Sequence, residues 1–297
     1  MCAAVSSARD EPLAATASRI DHWLLIEYRG RWGRDVLGGS LLSQELKNHL
    51  RAQLDALPHT RLLFVKQPNR RSQGARRVFL GTSTPGAERL FELEVEHHED
   101  LRELDLAAAL ADGGPGISIA GPLLVVCTHG KRDQCCALNG RPLYDALRHE
   151  TDPSRVWQST HVGGDRFAGN VVALPQGLYY GRVGPADIEG LLSALADGHV
   201  DLERYRGRSA YSFPVQAAEQ AIRESEGLLE IDALALLGSE RRSADAWRVR
   251  FRTPDDAVHE VDVAATLTDE PVYLTCGSAE PRLARRHRAT AHRVLGS

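Results

Sequence analysis

The apolar run Gly121-Pro-Leu-Leu-Val-Val126 leads straight into Cys127, eight residues separate Cys127 from Cys136, and His161-Val-Gly-Gly-Asp165 begins 25 residues after Cys136. A short run of this kind reads as a buried strand, so the two sulfurs sit on the loop that leaves it. For His161 to join them, the chain must come back to the same end of the sheet and offer a second loop there. Two thiolates, an imidazole and a fourth donor drawn from two loops suit an iron–sulfur cluster or zinc.

At 297 residues the chain exceeds the usual size of one domain. Trp23-Leu-Leu-Ile-Glu-Tyr28 reads as a strand, followed by the Gly-rich turn Arg29-Gly-Arg-Trp-Gly-Arg34 and a helical spacing at Leu41, Leu42, Leu46 and Leu50. Residues 61–65, 77–80 and 90–95 read as three more strands. Asp112-Gly-Gly-Pro-Gly116 cannot easily continue regular structure and marks a boundary. Residues 1–115 are therefore expected to form a smaller α+β domain.

A second domain is expected over residues 116–235. It opens with the strand ending at Cys127 and continues through a helix at Arg141-Pro-Leu-Tyr-Asp-Ala-Leu-Arg148, where proline is tolerated at a helix start. It returns as a strand at Val156-Trp-Gln-Ser-Thr160. A hairpin at 170–174 and 178–183 follows, then a helix from Pro185 with Ile188, Leu191, Leu192 and Leu195 on one face. Strand, helix, strand, hairpin and helix in this order resemble a thioredoxin-like α/β layer, completed by a helical run at 215–222. Residues 236–297 read as a C-terminal β extension with a hairpin at 246–251 and 258–263, a third strand at 271–275, and a solvated basic tail at Arg282-Leu-Ala-Arg-Arg-His-Arg288. No internal repeat is evident.

A formal net charge of −4 argues against a dedicated nucleic-acid partner. No apolar run reaches the roughly 20 residues that cross a bilayer, and Met1–Asp10 lacks the basic start and apolar centre of a signal peptide. The expectation is a cytoplasmic protein with neither a nucleic-acid nor a membrane partner. Five cysteines (Cys2, Cys127, Cys135, Cys136, Cys276) are too few and too clustered for a disulfide framework. In a reducing compartment such clustering points to metal or redox chemistry. The basic stretch from Lys66 to Arg77 lacks the glycine spacing of a nucleotide loop and reads as surface.

The motif Cys127-Thr-His-Gly-Lys-Arg-Asp-Gln-Cys-Cys136, followed by Ser159-Thr-His-Val-Gly-Gly-Asp-Arg-Phe-Ala-Gly-Asn170, resembles the sucrase/ferredoxin-like family. Glu11-Pro-Leu-Ala-Ala-Thr-Ala17, Trp23-Leu-Leu-Ile-Glu27 and the turn at Trp32 are similar to it as well. The resemblance implies a thioredoxin-like ferredoxin that holds a [2Fe–2S] cluster through two cysteines and two histidines. Carried over, Cys127 and Cys136 bind one iron and His161 the other, and Asp165 stands where the family has its second histidine. The implied role is electron transfer with a redox partner protein, a reductase or an acceptor.

Imidazoles in place of thiolates reduce the negative charge on a cluster and raise its potential, whereas an aspartate ligand does the reverse. Gly163 and Gly164 allow the backbone to approach inorganic sulfides and offer N–H groups to them. Cys135 is a further thiolate, but neighbouring residues seldom point into one site. His129 reads as a supporting donor or an exposed residue, and Cys2 and Cys276 lie outside the ligand set. Lys131, Arg132, Asp133 and Arg166 flank the site as a largely cationic rim. Three other readings stay open: a cluster-free thiol oxidoreductase, a scaffold that lost its cofactor, and zinc. Sucrose hydrolysis is not expected, because no motif nominates the pair of carboxylates a glycosidase needs.

Overall fold

The computed structural model describes residues 1–68, 74–111 and 114–295. Helix α1 (Cys2–Ala8) precedes β1 (His22–Glu27), α2 (Gln44–Ala56), β2 (Thr60–Lys66), β3 (Arg76–Thr82), β4 (Arg89–Val95) and α3 (Leu106–Ala111). After β5 (Ile117–Ser118) come β6 (Leu123–Cys127), α4 (Gln134–Glu150), β7 (Val156–Ser159), β8 (Val171–Leu174), β9 (Leu178–Tyr180), α5 (Ile188–Ala196), β10 (Tyr205–Arg208) and α6 (Phe213–Glu226). Strands β11 (Ala235–Arg241), β12 (Ala246–Arg252), β13 (Val258–Leu267) and β14 (Arg285–Leu295) form a separate C-terminal sheet in sequence order. The class is α+β, as expected.

Strands β1 to β10 share one mixed sheet in the order β10-β9-β8-β6-β7-β2-β1-β3-β4-β5. In its second half β6 and β7 run parallel across α4, while β8 and β9 add antiparallel. That is the strand–helix–strand–hairpin layer read from the sequence. The first half has the same plan: β1 and β2 run parallel across α2, and β3 and β4 add antiparallel. The two units meet edge to edge where β2 pairs antiparallel with β7, at Val65–Ser159 and Lys66–Gln158. The sheet thus continues through the boundary proposed at residues 115–116. Asp112 and Gly113 of that boundary lie outside the described residues, as do residues 69–73 of the basic stretch. The repeat escapes the sequence because this topology demands only matching apolar periods, which dissimilar residues satisfy.

Alternation along the strands decides where the core lies. Trp23 and Leu25 of β1, Leu63 and Val65 of β2, and Leu123, Val125 and Cys127 of β6 face one shared interior that also holds Tyr179 from β9 and Leu90 from β4. Their neighbours Leu24, Ile26, Leu62 and Phe64 face α2 and α3, and Leu124 and Val126 face α4 and α5. Both faces of the sheet are therefore covered, and the inner one curls. Its ends approach each other: Ser83 donates to the Pro175 carbonyl, and Arg208 pairs with Glu88.

Two elements differ from expectation. Helix α4 begins at Gln134 rather than Arg141, so Pro142 lies inside it. Asp133 caps the earlier start by accepting the Cys135 N–H at 2.8 Å. The N–H that proline lacks would have served the carbonyl of residue 138, where the side chain is 56% exposed and the helix faces water. The expected third strand at 271–275 is reduced to a bridge between Val272 and Arg282, and Arg285–Arg288 of the run read as a basic tail begin β14. Strand β14 is largely exposed and shows no apolar period. It is held by its ladder with β13 and by Arg293 paired with Glu260 and Asp262.

Candidate metal centre

Cys127 closes β6 on the inner face of the sheet, and Cys136 enters from the first turn of α4. The helix can come this close because Gly140 faces the strand end: a Cβ there would lie 2.0 Å from the Cys127 carbonyl oxygen. His161 follows β7, and Asp165 opens a 3-10 turn behind Gly163 and Gly164, which have φ of 106° and 81°. Sγ of Cys127, Sγ of Cys136 and a ring nitrogen of His161 all lie within 4.8 Å of one another. Asp165 Oδ1 stands 3.3 Å from Cys136 Sγ and 2.9 Å from His161 Nδ1. The residues singled out in the sequence are thus brought together, with Asp165 beside the other three.

Charge is distributed unevenly across this group. A hydrogen bond from the Cys136 thiol holds Cys127 well below the usual thiol range, against the effect of burial and with help from His161. The same bond, together with burial and the negative charges of Cys127 and Asp165, pushes Cys136 up, so it keeps its proton. Burial works against a charged His161 ring, but Asp165 and Cys127 outweigh it and raise its pKa to about 9. Cys127 and Cys136 are fully buried, and Asp165 is 3% exposed.

This donor set fits a soft or borderline metal. His161 Nδ1 is buried, and the group 2.9 Å from it is the Asp165 carboxylate, with which it forms an ion pair when the ring is protonated. Loss of the ring proton frees that nitrogen as a donor beside two sulfurs and a carboxylate. The 4.8 Å spacing admits one ion as it stands. His161 lies on the loop after β7, and its side chain is 20% exposed.

His129 is neither exposed nor among these donors. Its ring is buried, accepts the His161 N–H at Nδ1 and reaches the Gly33 carbonyl with Nε2 at 2.8 Å. Burial lowers its pKa, consistent with a neutral ring that accepts at one nitrogen and donates at the other. Trp32 packs edge-on against it, so the Gly-rich turn of the first half supports the loop that carries His161. Arg166 pairs with Glu11 at 2.7 Å rather than with Asp165, and Asp133 is buried rather than on the rim. Lys131 and Arg132 remain exposed.

Arg206 is the site residue that the sequence reading missed. From β10 it donates to the carbonyls of Gly163 and Thr16 and to Asn170 Oδ1, and a Cβ on Gly164 would lie 2.3 Å from its Nη2. Gly164 therefore makes room for a buried cation, while Gly163 makes room for Ser18, whose Oγ would lie 2.4 Å from a Cβ there. Burial lowers the pKa of Arg206 to about 10, which leaves it charged at neutral pH behind the thiolate and carboxylate. Its signal in the sequence is faint: an arginine in a short run flanked by tyrosines.

The family profile described as sucrase/ferredoxin-like matches residues 13–207, which takes in both halves of the large sheet and all four candidate donors. The chain belongs to the sucrase/ferredoxin-like family. Curated relatives include "Altered inheritance of mitochondria protein 32" of Meyerozyma guilliermondii, 33% identical over 127 residues, which are 39% of this chain and 43% of the relative. The protein of the same name from Eremothecium gossypii is 33% identical over 124 residues, 34% of this chain and 40% of the relative. The matched segments thus span less than half of either of these relatives. No solved structure matches the chain. Among the described residues, no helix of this family member is long and apolar enough to cross a membrane.

Proposed function

We propose that this sucrase/ferredoxin-like protein is a one-electron carrier with a [2Fe–2S] cluster on Cys127, Cys136, His161 and Asp165. The observation that carries the proposal is the convergence of two buried sulfurs, an imidazole and a carboxylate in one pocket of a family member. Cys127 and Cys136 would hold one iron, and His161 with Asp165 the other. When bound, such a cluster supplies reversible one-electron transfer.

The chain's own residues set the conditions. Cys136 and His161 must give up protons to act as ligands, and the charge of Arg206 offsets part of the anionic charge this leaves. Asp165 adds a negative charge where a second imidazole would be neutral, which favours a lower potential. Exposed Lys131 and Arg132 beside the site suit weak docking of an acidic redox partner, a reductase or an acceptor. Five free cysteines fit a reducing compartment such as the cytoplasm.

A second reading has its own support. The Cys127 and Cys136 sulfurs lie within 4.8 Å of each other, so without a metal the pair would be placed to form a disulfide by exchange with a disulfide-bearing partner, which is reduced in turn. Visible absorption, EPR and iron and acid-labile sulfide assays on anaerobically purified protein separate the two. Two irons and two sulfides per chain with a rhombic signal on reduction support the carrier. A colourless protein that resists reconstitution sinks it.

A further inference from the structure

A second cluster of sulfurs lies beside the first turn of α4, built from the three cysteines that the first centre does not use. Cys2 comes from α1, Cys135 from the first turn of α4, and Cys276 from the connection between β13 and β14. Their sulfurs form a triangle with edges of 3.2 Å (Cys135–Cys276), 3.4 Å (Cys2–Cys276) and 3.6 Å (Cys2–Cys135). Asp133 closes the group, with its oxygens 3.9 and 4.0 Å from Cys2 Sγ. Cys2, Cys135 and Asp133 are buried, Cys276 is half-buried, and all three cysteines are free.

We propose that Cys2, Cys135 and Cys276, with Asp133, form a second metal site that takes zinc. Zn–S bonds of about 2.3 Å in a tetrahedron put sulfurs about 3.8 Å apart, so the observed triangle needs only a small outward relaxation around an ion. Three thiols packed against one another satisfy each other poorly, because S–H is a weak donor and sulfur a weak acceptor. A disulfide would join only two of them at about 2.05 Å and strand the third beside a buried carboxylate. Three soft donors and one hard anionic oxygen match zinc's tolerance for mixed tetrahedral sets.

Asp133 is already held in place. One of its oxygens accepts the Cys135 N–H at 2.8 Å and the other the Cys276 N–H at 2.6 Å, so the carboxylate ties two of the ligand-bearing backbones together. A zinc ion here fastens α1 and the C-terminal extension to the helix that also carries Cys136. This site does not depend on the cluster proposal, since none of its donors belongs to the first centre.

The test is zinc content by mass spectrometry of the full chain, purified under reducing conditions after incubation with zinc chloride, in a Cys127→Ser/Cys136→Ser background that removes the first centre's sulfurs. About one zinc per chain is expected there, with loss of that equivalent on adding Cys276→Ser or Cys2→Ser while the circular dichroism is unchanged. Equal zinc with and without Cys276, or no zinc in either, overturns the proposal. Should that background not fold, zinc-edge X-ray absorption of the wild-type chain decides. A sulfur-dominated shell at about 2.3 Å that Cys276→Ser abolishes supports the site, and a shell that Cys276→Ser leaves unchanged refutes it.

Discussion

Cys135 and Cys136 are adjacent on α4, yet their sulfurs serve different neighbourhoods: Cys136 Sγ lies 3.3 Å from Asp165 Oδ1, and Cys135 Sγ lies 3.2 Å from Cys276 Sγ. Consecutive helical residues are about 100° apart around the axis, so one helix turn feeds two sites without sharing a ligand.

That separation predicts opposite outcomes for neighbouring substitutions. Cys136→Ser is expected to abolish bound iron and sulfide, whereas Cys135→Ser leaves both at wild-type levels. Iron and acid-labile sulfide measured on the two variants check this, and loss of iron in both would mean the sites are coupled.

Asp165 sits in contact with both Cys136 and His161. Replacing it with a neutral imidazole removes a negative charge from the ligand set. Asp165→His is expected to retain iron and to raise the midpoint potential by on the order of 100 mV or more. A spectroelectrochemical titration reads the shift, and an unchanged or lower potential removes Asp165 from the ligand set.

Gly164 has φ of 81°, and its Cβ position is filled by Arg206. Gly164→Ala is expected to lower stability by about 1–3 kcal/mol through strain and overpacking. Gly190 in α5 has open space around it and no positive φ, so Gly190→Ala is expected to add about 0.5–1 kcal/mol. Denaturant unfolding of the pair provides the contrast.

His98 is partly buried against Tyr28, and its Nε2 lies 2.9 Å from the Glu27 carbonyl. Burial lowers its pKa from the ordinary 6.5, a shift that the Glu27 carbonyl opposes only in part. With the folded value depressed, the unfolded chain takes up the proton first. Its contribution to stability is whole above about pH 6.5 and is lost as pH falls through the lower folded value. Thermal unfolding between about pH 7.5 and 5 is expected to show this loss, and His98→Gln to make the profile shallower. An identical slope in the variant would clear His98 of the effect.

Much of the second half is legible residue by residue. The run ending at Cys127 reads as a buried strand, and the apolar face of Ile188 and Leu191 reads directly as helix α5. Helix α4 was harder, because Pro142 draws attention to a start at Arg141 while the effective cap is Asp133. Strand β14 was hidden altogether: its side chains are mostly exposed and charged, so backbone pairing with β13 decides it and no period marks it.

The same division runs through the sites. Residue type and motif are local properties: they nominate Cys127, Cys136 and His161 as donors and carry the resemblance to the sucrase/ferredoxin-like family, which in turn implies Asp165. Only the tertiary structure brings Arg206 behind Gly164, seats His129 on Gly33, and gathers Cys2, Cys135 and Cys276 from the two ends and the middle of the chain. Those contacts depend on how a ten-stranded sheet curls and on which strand edges meet. Such pairings between distant segments leave no periodic trace in either partner's local sequence.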